Sequence, residues 1–241
     1  MSVAAPQVNK SPDRIAGMFD AIAGNYDFLN HLLSAGIDKR WRRKAIASLG
    51  LTGRERVLDL CTGTADLALA AIDATPGAAR VLGVDFAAAM LQVGLVKTRE
   101  RAVTSRLALV RGDAANVPAR DQSVDAVTVA FGIRNVQNTS GACAEIFRVL
   151  RPGGRLAVLE FAIPTTPGVR TAYLWYFNQV LPLIGRMISK HNAAYGYLPA
   201  SVGAFATPDE FVTILRQQGF AAIRAVPLTF GIVYLYTAQR P

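Results

Sequence analysis

Five short, strongly apolar runs recur along this chain, and segments with helical periodicity separate them. Each run has the length of a β-strand and shows little polar alternation, which is typical of strands covered on both faces. Their spacing of about 20 to 30 residues fits strand–helix–strand units, in which consecutive strands run parallel. The runs are Val57–Leu60, Val81–Val84, Leu107–Val110, Ala126–Ala130 and Leu156–Glu160. The pattern predicts an α/β fold with an open, mostly parallel sheet and helices on both faces.

The segments between and after these runs carry helix and strand signals. Helices are expected at Asp66–Asp73, Ala87–Arg101, Thr139–Leu150 and Pro208–Gln218. The third is expected to stop at Pro152, Gly153 and Gly154, and the fourth to begin with Thr207 as its cap. Two late strands, near Ile223–Val226 and Ile232–Ala238, bring the expected sheet to seven strands. At 241 residues the chain is long enough for one large domain, residues 1–241.

The sequence VLDLCTGTAD, from Val57 to Asp66, ends a buried strand in small and hydroxyl residues just before a helix. Gly63 has no side chain, so the backbone can pass close to a ligand at this turn. The helix N-terminus offers free N–H groups to an anionic carboxylate. A dinucleotide fingerprint has three glycines and this turn has one, so the turn does not support an NAD site.

Carboxylates follow the next two strands. Asp85 ends the second strand, where it could accept both hydroxyls of a ribose, and the third leads to Asp113 and Ala114. There a carboxylate can take an adenine amino group and a backbone N–H can reach a ring nitrogen. Ligands bind at the carboxyl ends of strands in open α/β sheets, so the three strand ends predict sites for a sulfonium amino acid, a ribose and a base. The alternative is that each aspartate only caps a helix.

Composition limits the partners and the compartment. The net charge of +9 fits an anionic partner, such as nucleic acid, anionic lipid or a charged metabolite, and does not choose among them. Cys61 and Cys143 lie in segments expected to be interior and form no metal motif, so we expect a cytoplasmic protein without a metal site. The longest apolar stretch, Ala172–Gly185, is too short and too interrupted to span a bilayer.

Several motifs carry a resemblance to a known family. They are MFDAIAGNYDFLNHLLSAGIDKRWR at Met18–Arg42, VLDLCTGTADLA from Val57, VDFAAAML at Val84–Leu91, FGIRN at Phe131–Asn135, LEF at Leu159–Phe161, VLPLIG at Val180–Gly185 and YGYLPASV at Tyr195–Val202. On these motifs the chain resembles the ubiquinone/menaquinone biosynthesis C-methyltransferases of the UbiE/MenG type. The resemblance implies a Rossmann-like class I methyltransferase fold, S-adenosylmethionine (SAM) as cofactor, and methylation of a ring carbon in a polyprenylated quinol. The expected reaction converts demethylmenaquinol to menaquinol or performs the equivalent ubiquinone step.

The turn residues and the resemblance together give the expected cofactor contacts. These are Asp59, Gly63, Thr64, Asp85, Asp113, Ala114 and Ala130. The chain departs from the family at Ala130, where a serine is frequent, and at Pro199 or Ala200, where a glutamate is usual. The departures concern one cofactor contact and the acceptor site.

Methyl transfer to carbon is an in-line displacement, so the protein must mainly hold a nucleophilic carbon about 3 Å from the methyl group. A quinone ring is too electron-poor, and the expected acceptor is therefore the reduced quinol. Arg134 is the expected catalytic residue, because its cation could stabilise a developing quinolate or orient a water that takes the proton. Asn135 could hold that water or the quinol oxygen. The alternative for Arg134 is a salt bridge to Asp113 or Glu160.

Two segments are expected to form the acceptor site. Residues 1–50 would be a helical extension over the active site, and residues 161–206 an insertion that binds the acceptor. The insertion is rich in aromatic residues and has no acidic residue between Glu160 and Asp209, which suits an isoprenoid tail. It could equally be an ordinary buried helix packed on the sheet. The candidate acceptor contacts are Tyr26, His31, Tyr173, Tyr176 and Tyr195, with Trp175 and Phe177 as further lining or interfacial side chains.

The cluster KRWRRK, Lys39–Lys44, could attach the protein to the anionic inner face of the cytoplasmic membrane, or simply be a solvated helix face. Three other functions are weighed: methylation of another small apolar acceptor, methylation of nucleic acid, and SAM or lipid binding without turnover. The sequence lacks the Asn-Pro-Pro and Pro-Cys motifs that base methylation uses, so we expect no nucleic-acid partner. The sequence leaves open whether the chain forms a homodimer.

Overall fold

The computed structural model describes residues 8–34, 36–75, 77, 79–180 and 192–241. Its centre is a seven-stranded sheet with the order β3-β2-β1-β4-β5-β7-β6. The strands are β1 Arg56–Leu60, β2 Arg80–Asp85, β3 Leu107–Arg111, β4 Val124–Ala130, β5 Leu150–Phe161, β6 Ala221–Leu228 and β7 Val233–Gln239. The first five pair in parallel, and β7 pairs antiparallel with both β5 and β6. The expected α/β class and the mostly parallel seven-stranded sheet are confirmed.

Two apolar layers cover the sheet. On one face, α3 and α4 pack over side chains such as Val57, Val81 and Ala126, and on the other, α6 and α9 pack over Leu58, Val127 and others. Their bounds are α3 Asp38–Ser48, α4 Asp66–Ala74, α6 Thr139–Val149 and α9 Pro208–Gln217. Consecutive strand residues point to opposite faces, so both faces need apolar side chains. This explains the unbroken apolar runs in the sequence.

The remaining helices lie before, between and after these layers. They are α1 Pro12–Ile22, α2 Tyr26–Leu33, α5 Ala88–Glu100, α7 Pro167–Trp175 and α8 Asn192–Gly203. The predicted Thr207 cap is confirmed, because the Thr207 side chain and the Glu210 carboxylate each accept from the other's backbone N–H. Among the described residues, no helix combines the length and the apolar character that crossing a membrane requires.

The expected stop after α6 differs from the structure in one respect. Helix α6 ends at Val149, but Pro152, Gly153 and Gly154 lie inside β5 instead of in a loop that precedes it. The partners in β4 shift from Val124 opposite Leu150 to Ala126 opposite Arg155, so the regular pairing of β5 with β4 is interrupted between these positions. An interrupted part of a strand accepts proline and glycine, which a regular central strand does not.

Candidate functional site

A cavity of about 210 Å³ lies at the carboxyl ends of the first four strands. Side chains and backbone from Leu60, Val84, Gly112 and Ala130 mark the strand ends around it. Its far wall comes from the N-terminal segment, which contributes Lys10, Pro12, Ile15, Ala16, Phe19 and Tyr26. The lining is mostly apolar, and its charged side chains within the described chain are Lys10, Asp85 and Asp113.

The turn after β1 brings backbone to the cavity wall. Gly63 lies in the left-handed region at φ +55°, and a Cβ placed on it would meet nothing within 4 Å, because it would point into open space. Cys61 and Ala65 in the same turn, and Phe131 at the end of β4, also have positive φ. Non-glycine residues rarely adopt this conformation, and such strain is concentrated at functional sites. Gly132 lets the two turns approach, since its Cβ would lie 2.3 Å from that of Cys61.

Asp85 ends β2 and lines the cavity. Its Oδ2 accepts the Gly63 backbone N–H at 2.8 Å, and its Oδ1 accepts the Ala87 N–H at 2.8 Å. Burial raises the pKa of the Asp85 carboxyl, and these two backbone N–H groups oppose that shift. Each oxygen keeps a further lone pair, so the carboxylate can accept two more hydrogen bonds. A ribose diol is a suitable donor of both.

The third strand end supplies Asp113 and Ala114, and both line the cavity. Asp113 Oδ1 accepts the Ala115 N–H at 2.9 Å, which orders the loop after Gly112. Ala130, at the end of β4, lines the cavity as well. Five of the seven expected cofactor contacts therefore surround one cavity, namely Gly63, Asp85, Asp113, Ala114 and Ala130.

The other two expected cofactor contacts do not line the cavity. Asp59 is buried on the face of the sheet that α4 covers, where its carboxylate accepts from Thr62 Oγ1 at 2.6 Å and from Thr128 Oγ1 at 2.7 Å. Burial raises its pKa to about 6. Thr64 donates its hydroxyl to Asp27 Oδ1 at 2.5 Å, on the side of α2. Asp59 and Thr64 therefore stabilise the turn after β1 from the side that faces away from the cavity.

Asn135 lines the cavity, whereas Arg134 lies behind its wall. The Asn135 Oδ1 atom is buried and has no hydrogen-bond partner in the described chain. Arg134 is buried, and its Nη1 pairs with Glu160 Oε1 at 2.6 Å, the salt bridge that the sequence leaves as an alternative. Its Nε donates to Ser201 Oγ at 3.3 Å, and its guanidinium lies over the Phe161 ring at 5.5 Å.

The two N-terminal acceptor candidates, Tyr26 and His31, lie in different places relative to the cavity. Tyr26 lines the cavity and packs edge-on against Phe19, with ring centroids 6.0 Å apart. Burial raises the pKa of its phenol. His31 does not line the cavity, and its Nδ1 lies 2.8 Å from Asp38 Oδ2.

The candidates from the insertion form a separate cluster. Tyr173 and Phe177 are buried with centroids 4.2 Å apart, and the partly buried Tyr176 packs beside them. The Tyr173 hydroxyl is buried without a hydrogen-bond partner in the described chain. None of these residues lines the cavity. Tyr195 and residues 181–191 fall outside what the structure describes in side-chain detail, so the Tyr195 prediction stays a prediction.

Sequence reasoning predicts a helical extension over the active site within residues 1–50, but it missed the individual lining residues that precede α2. Lys10, Ile15 and Phe19 close the cavity opposite the strand ends, and the Asp20 carboxylate accepts the Ala89 N–H at 2.7 Å. That bond joins α1 to the N-terminus of α5. The one signal available was the apolar spacing of Ile15 and Phe19 on an amphipathic helix, which indicates burial but not what is buried against it.

SAM fits this arrangement on three observations. At the end of β1, the backbone of Gly63 faces the cavity without a side chain. At the end of β2, the Asp85 carboxylate has free lone pairs. After β3, the Asp113 carboxylate and the Ala114 backbone line the cavity. They occur in the order that an amino-acid group, a ribose and a base require. The apolar side chains between them suit an adenine ring and a thioether chain.

Comparison with known proteins connects this site to a family. The family model described as the ubiE/COQ5 methyltransferase family matches residues 7–240. A Geobacter sp. (strain M21) protein named ubiquinone/menaquinone biosynthesis C-methyltransferase UbiE is 42% identical over 97% of this chain and 99% of its own length. A demethylmenaquinone methyltransferase of Thermus thermophilus is 44% identical over 93% of this chain and 100% of its own length.

Solved structures support the fold. A putative S-adenosyl-L-methionine-dependent methyltransferase from Methanococcus maripaludis superposes with a TM-score of 0.65. It is 16% identical, and the match covers 99% of this chain and 97% of that one. At such identity the likeness concerns the fold alone, which is the Rossmann-like fold of class I methyltransferases.

Proposed function

Because this chain belongs to the ubiE/COQ5 methyltransferase family and is a SAM-dependent methyltransferase, we propose that it methylates a ring carbon of a polyprenylated quinol. The names of its relatives support this acceptor class, with demethylmenaquinol as the first candidate and the ubiquinone precursor as the second. The observation that carries the proposal is the single cavity that joins Gly63, Asp85 and Asp113 to an apolar chamber under the N-terminal helices.

The cofactor would be held by the strand ends. The Gly63 turn would take its amino-acid group, Asp85 its ribose, and Asp113 with Ala114 its adenine. When bound, SAM supplies a methyl group made electrophilic by a positively charged sulfur. Phe19, Ile15 and Met90 exclude water from this region, because they are apolar and close the cavity. A dry site strengthens every electrostatic interaction inside it.

The unpartnered Asn135 oxygen favours a quinol over a quinone as the acceptor. A buried acceptor atom without a donor costs about 1–3 kcal/mol, so a bound molecule that brings an O–H group gains by satisfying it. The carbonyl oxygens of a quinone have no hydrogen to donate, while a quinol has two hydroxyls. Asn135 Oδ1 would therefore accept from one quinol hydroxyl and orient the ring.

Arg134 would act from behind the wall. The Ile133–Asn135 turn carries both Arg134 and Asn135, and Glu160 fixes that turn by accepting from the Arg134 backbone N–H at 3.2 Å and from its Nη1. The Arg134 guanidinium is a planar cation with several N–H donors. Its field would stabilise negative charge that develops on the quinol oxygen, and its ion pair would hold Asn135 in place.

The aromatic cluster of Tyr173, Tyr176 and Phe177 lies at the edge of the same region, next to Phe161. We propose that the insertion, residues 161–206, receives the prenyl tail there, and that residues 1–50 cover the reacting ring. Trp175, whose side chain is 62% exposed, would lie at the outer end of that path. Aromatic side chains in such positions suit the boundary between water and lipid.

We also propose contact with the anionic inner face of the cytoplasmic membrane. Lys39, Arg40, Arg43 and Lys44 are exposed on α3. Trp41 on the same helix donates its Nε1–H to Thr229 Oγ1 at 2.9 Å, and the residue after Thr229 is Phe230, which is 79% exposed. Cations with an exposed aromatic ring next to them suit reversible attachment to an anionic bilayer. A homodimer stays a prediction.

The test is transfer of a tritiated methyl group from SAM. The purified protein is supplied with demethylmenaquinol, or with the demethylated benzoquinol precursor, each kept reduced by dithionite. Label in the first product alone identifies the menaquinone step, and label in both identifies a dual role. The same acceptors in their oxidised form should take up no label. Binding of SAM without transfer to either quinol would refute the proposed acceptor.

A further inference from the structure

Lys10 carries the one cationic side chain among the described residues that line the cavity. It lies two residues before α1, on the wall that faces the strand ends. No ion pair joins its amine to a carboxylate in the described part of the chain. A half-buried amine without an acidic partner, facing an apolar cavity, is unusual, since lysines are mostly solvated or paired.

The charges around Lys10 place it at one end of the cavity. Desolvation lowers the pKa of its amine, the Arg134 charge lowers it further, and the Glu160 carboxylate opposes both. Asp85 and Asp113, which mark the ribose and adenine ends, are not among the groups that shift it. Arg134 belongs to the turn after β4 and Glu160 to β5, and that turn also carries Asn135, which lines the cavity on the side where the methyl acceptor would bind. The other ionisable groups facing this cavity are Tyr26, Cys61, Asp85 and Asp113.

Arg134 and Lys10 differ in what they can do with a proton. A guanidinium does not give up its proton in proteins, so Arg134, held by Glu160, stays a fixed cation. An amine that is partly removed from water and lies within the field of that cation can exist in its neutral form. Of the two cations, Lys10 alone both faces the cavity and can accept a proton.

We propose that the side-chain amine of Lys10 takes the proton from the acceptor's ring hydroxyl next to the carbon that is methylated. As Lys10 Nζ accepts that proton, the ring carbon forms its new bond to the methyl carbon, and the bond from methyl carbon to sulfur breaks with its electron pair going to sulfur. The ring carbon then loses its hydrogen as a proton to solvent, and Lys10 returns its own proton to the ring oxygen. The net products are the methylated quinol, S-adenosylhomocysteine and one proton. This step rests on the proposed quinol acceptor, whose second hydroxyl is left for Asn135.

The kinetic test compares Lys10→Met, Lys10→Arg and, as a matched control, Arg54→Met. Arg54 is exposed at the opposite end of the sheet, just before β1. We expect both Lys10 variants to bind SAM within about twofold of wild type in calorimetry. We expect their single-turnover methyl transfer to fall by about 100- to 10,000-fold, the usual contribution of a general base. Arg54→Met should behave as wild type.

The pH profile separates a base from a binding cation. The wild-type rate should rise with pH as Lys10 loses its proton, and this limb should disappear in both variants. A small primary amine added to Lys10→Ala should restore part of the rate. Full activity and an unchanged profile in Lys10→Arg would overturn the proposal, since a guanidinium cannot act as the base. So would a large loss of SAM affinity in Lys10→Met that Lys10→Arg restores, which would assign Lys10 to the cofactor carboxylate.

A direct titration does not depend on turnover. Lysine amines labelled by reductive methylation with ¹³C-formaldehyde are titrated by NMR, and the Lys10 signal is identified by its loss in Lys10→Arg. We expect it to titrate below the ordinary lysine value of 10.5 and to move when a reduced naphthoquinol is added. An ordinary titration with no response to the quinol overturns the role of Lys10. Failure of wild type to methylate either quinol, with the low titration intact, instead contradicts the acceptor.

Discussion

Replacing Asp85 by asparagine should weaken SAM binding strongly while leaving the fold nearly as stable. Each carboxylate oxygen already accepts one backbone N–H, from Gly63 or Ala87, and each keeps a lone pair for a ribose hydroxyl. Hydrogen bonds to charged acceptors contribute about 1.5–3 kcal/mol each. Asparagine keeps one neutral acceptor oxygen and replaces the other by a donor. The lost affinity is therefore about 3 kcal/mol, or about 150-fold in Kd.

The Asp85→Asn substitution affects the stability of the fold through the charge of the carboxylate and its backbone hydrogen bonds, not through SAM contacts. Burial raises the pKa of Asp85 above that of the unfolded chain, so the ionised carboxylate is less favourable in the folded protein at neutral pH. Asparagine removes this charge and loses about one backbone hydrogen bond, and the two effects offset to within about 1 kcal/mol. Alanine leaves both the Gly63 and Ala87 N–H groups without their acceptor and should cost about 2–4 kcal/mol.

Calorimetric SAM titration and urea unfolding of wild type, Asp85→Asn and Asp85→Ala test this reasoning. Asp113→Asn is the matched control, since its carboxylate accepts one backbone N–H at the other end of the cavity and would contact only the base. We expect it to weaken binding by at most about tenfold. The reasoning fails if Asp85→Asn binds SAM within about threefold of wild type, or if it unfolds as easily as Asp85→Ala.

Three further outcomes follow from other residues. The pKa of Asp59 rises from 3.8 to about 6 on folding, so this carboxyl makes wild-type stability fall as pH rises through that window. Burial raises the pKa of Asp85 as well, so urea unfolding of Asp59→Asn should show a shallower fall than wild type, with SAM affinity little changed, and an unchanged slope would contradict the assignment. Asp20→Ala removes the hydrogen bond that joins α1 to the Ala89 N–H, which contributes about 1 kcal/mol. Because α1 is then held less firmly over the cavity, SAM release measured by stopped-flow should be faster. An unchanged release rate would mean that α1 does not cover the cofactor. The double variant Lys39→Glu, Arg43→Glu should bind phosphatidylserine vesicles at least about tenfold more weakly in co-sedimentation, with unaltered SAM binding. Equal vesicle binding would show that this face of α3 does not contact the membrane.

The sheet and the strand-end carboxylates were predictable because both depend on local sequence. Apolar runs fix strands, and the carboxyl ends of parallel strands must share one edge, so Gly63, Asp85 and Asp113 had to lie close together. The same argument could not place Asp59 and Thr64. Strand alternation points the Asp59 side chain to the face of the sheet that α4 covers, beside its register partner Thr128, and the Thr64 hydroxyl faces α2 instead of the cavity.

The sequence predicts a helical extension over the active site within residues 1–50, but it does not identify which of its side chains close the cavity. That Lys10 and Phe19 face the cavity follows from tertiary packing. The position of Arg134 was equally undetermined, because FGIRN fits a side chain pointing into the cavity or behind it. The fully buried Glu160 on the neighbouring strand settles the direction by pairing with it.

Thr64 does not line the cavity as predicted, but its contacts show how the turn after β1 is joined to the N-terminal helices. Its hydroxyl donates to Asp27 on α2, and Lys97 on α5 pairs with Asp27 at 2.8 Å and also with Asp66 at the start of α4. One cation thus connects three helices around the turn that faces the cofactor. Tyr26, adjacent to Asp27, lines the cavity, as does Gly63, adjacent to Thr64. One hydrogen-bonded and ion-paired cluster therefore links the turn on the cofactor side to the tyrosine on the N-terminal side of the cavity.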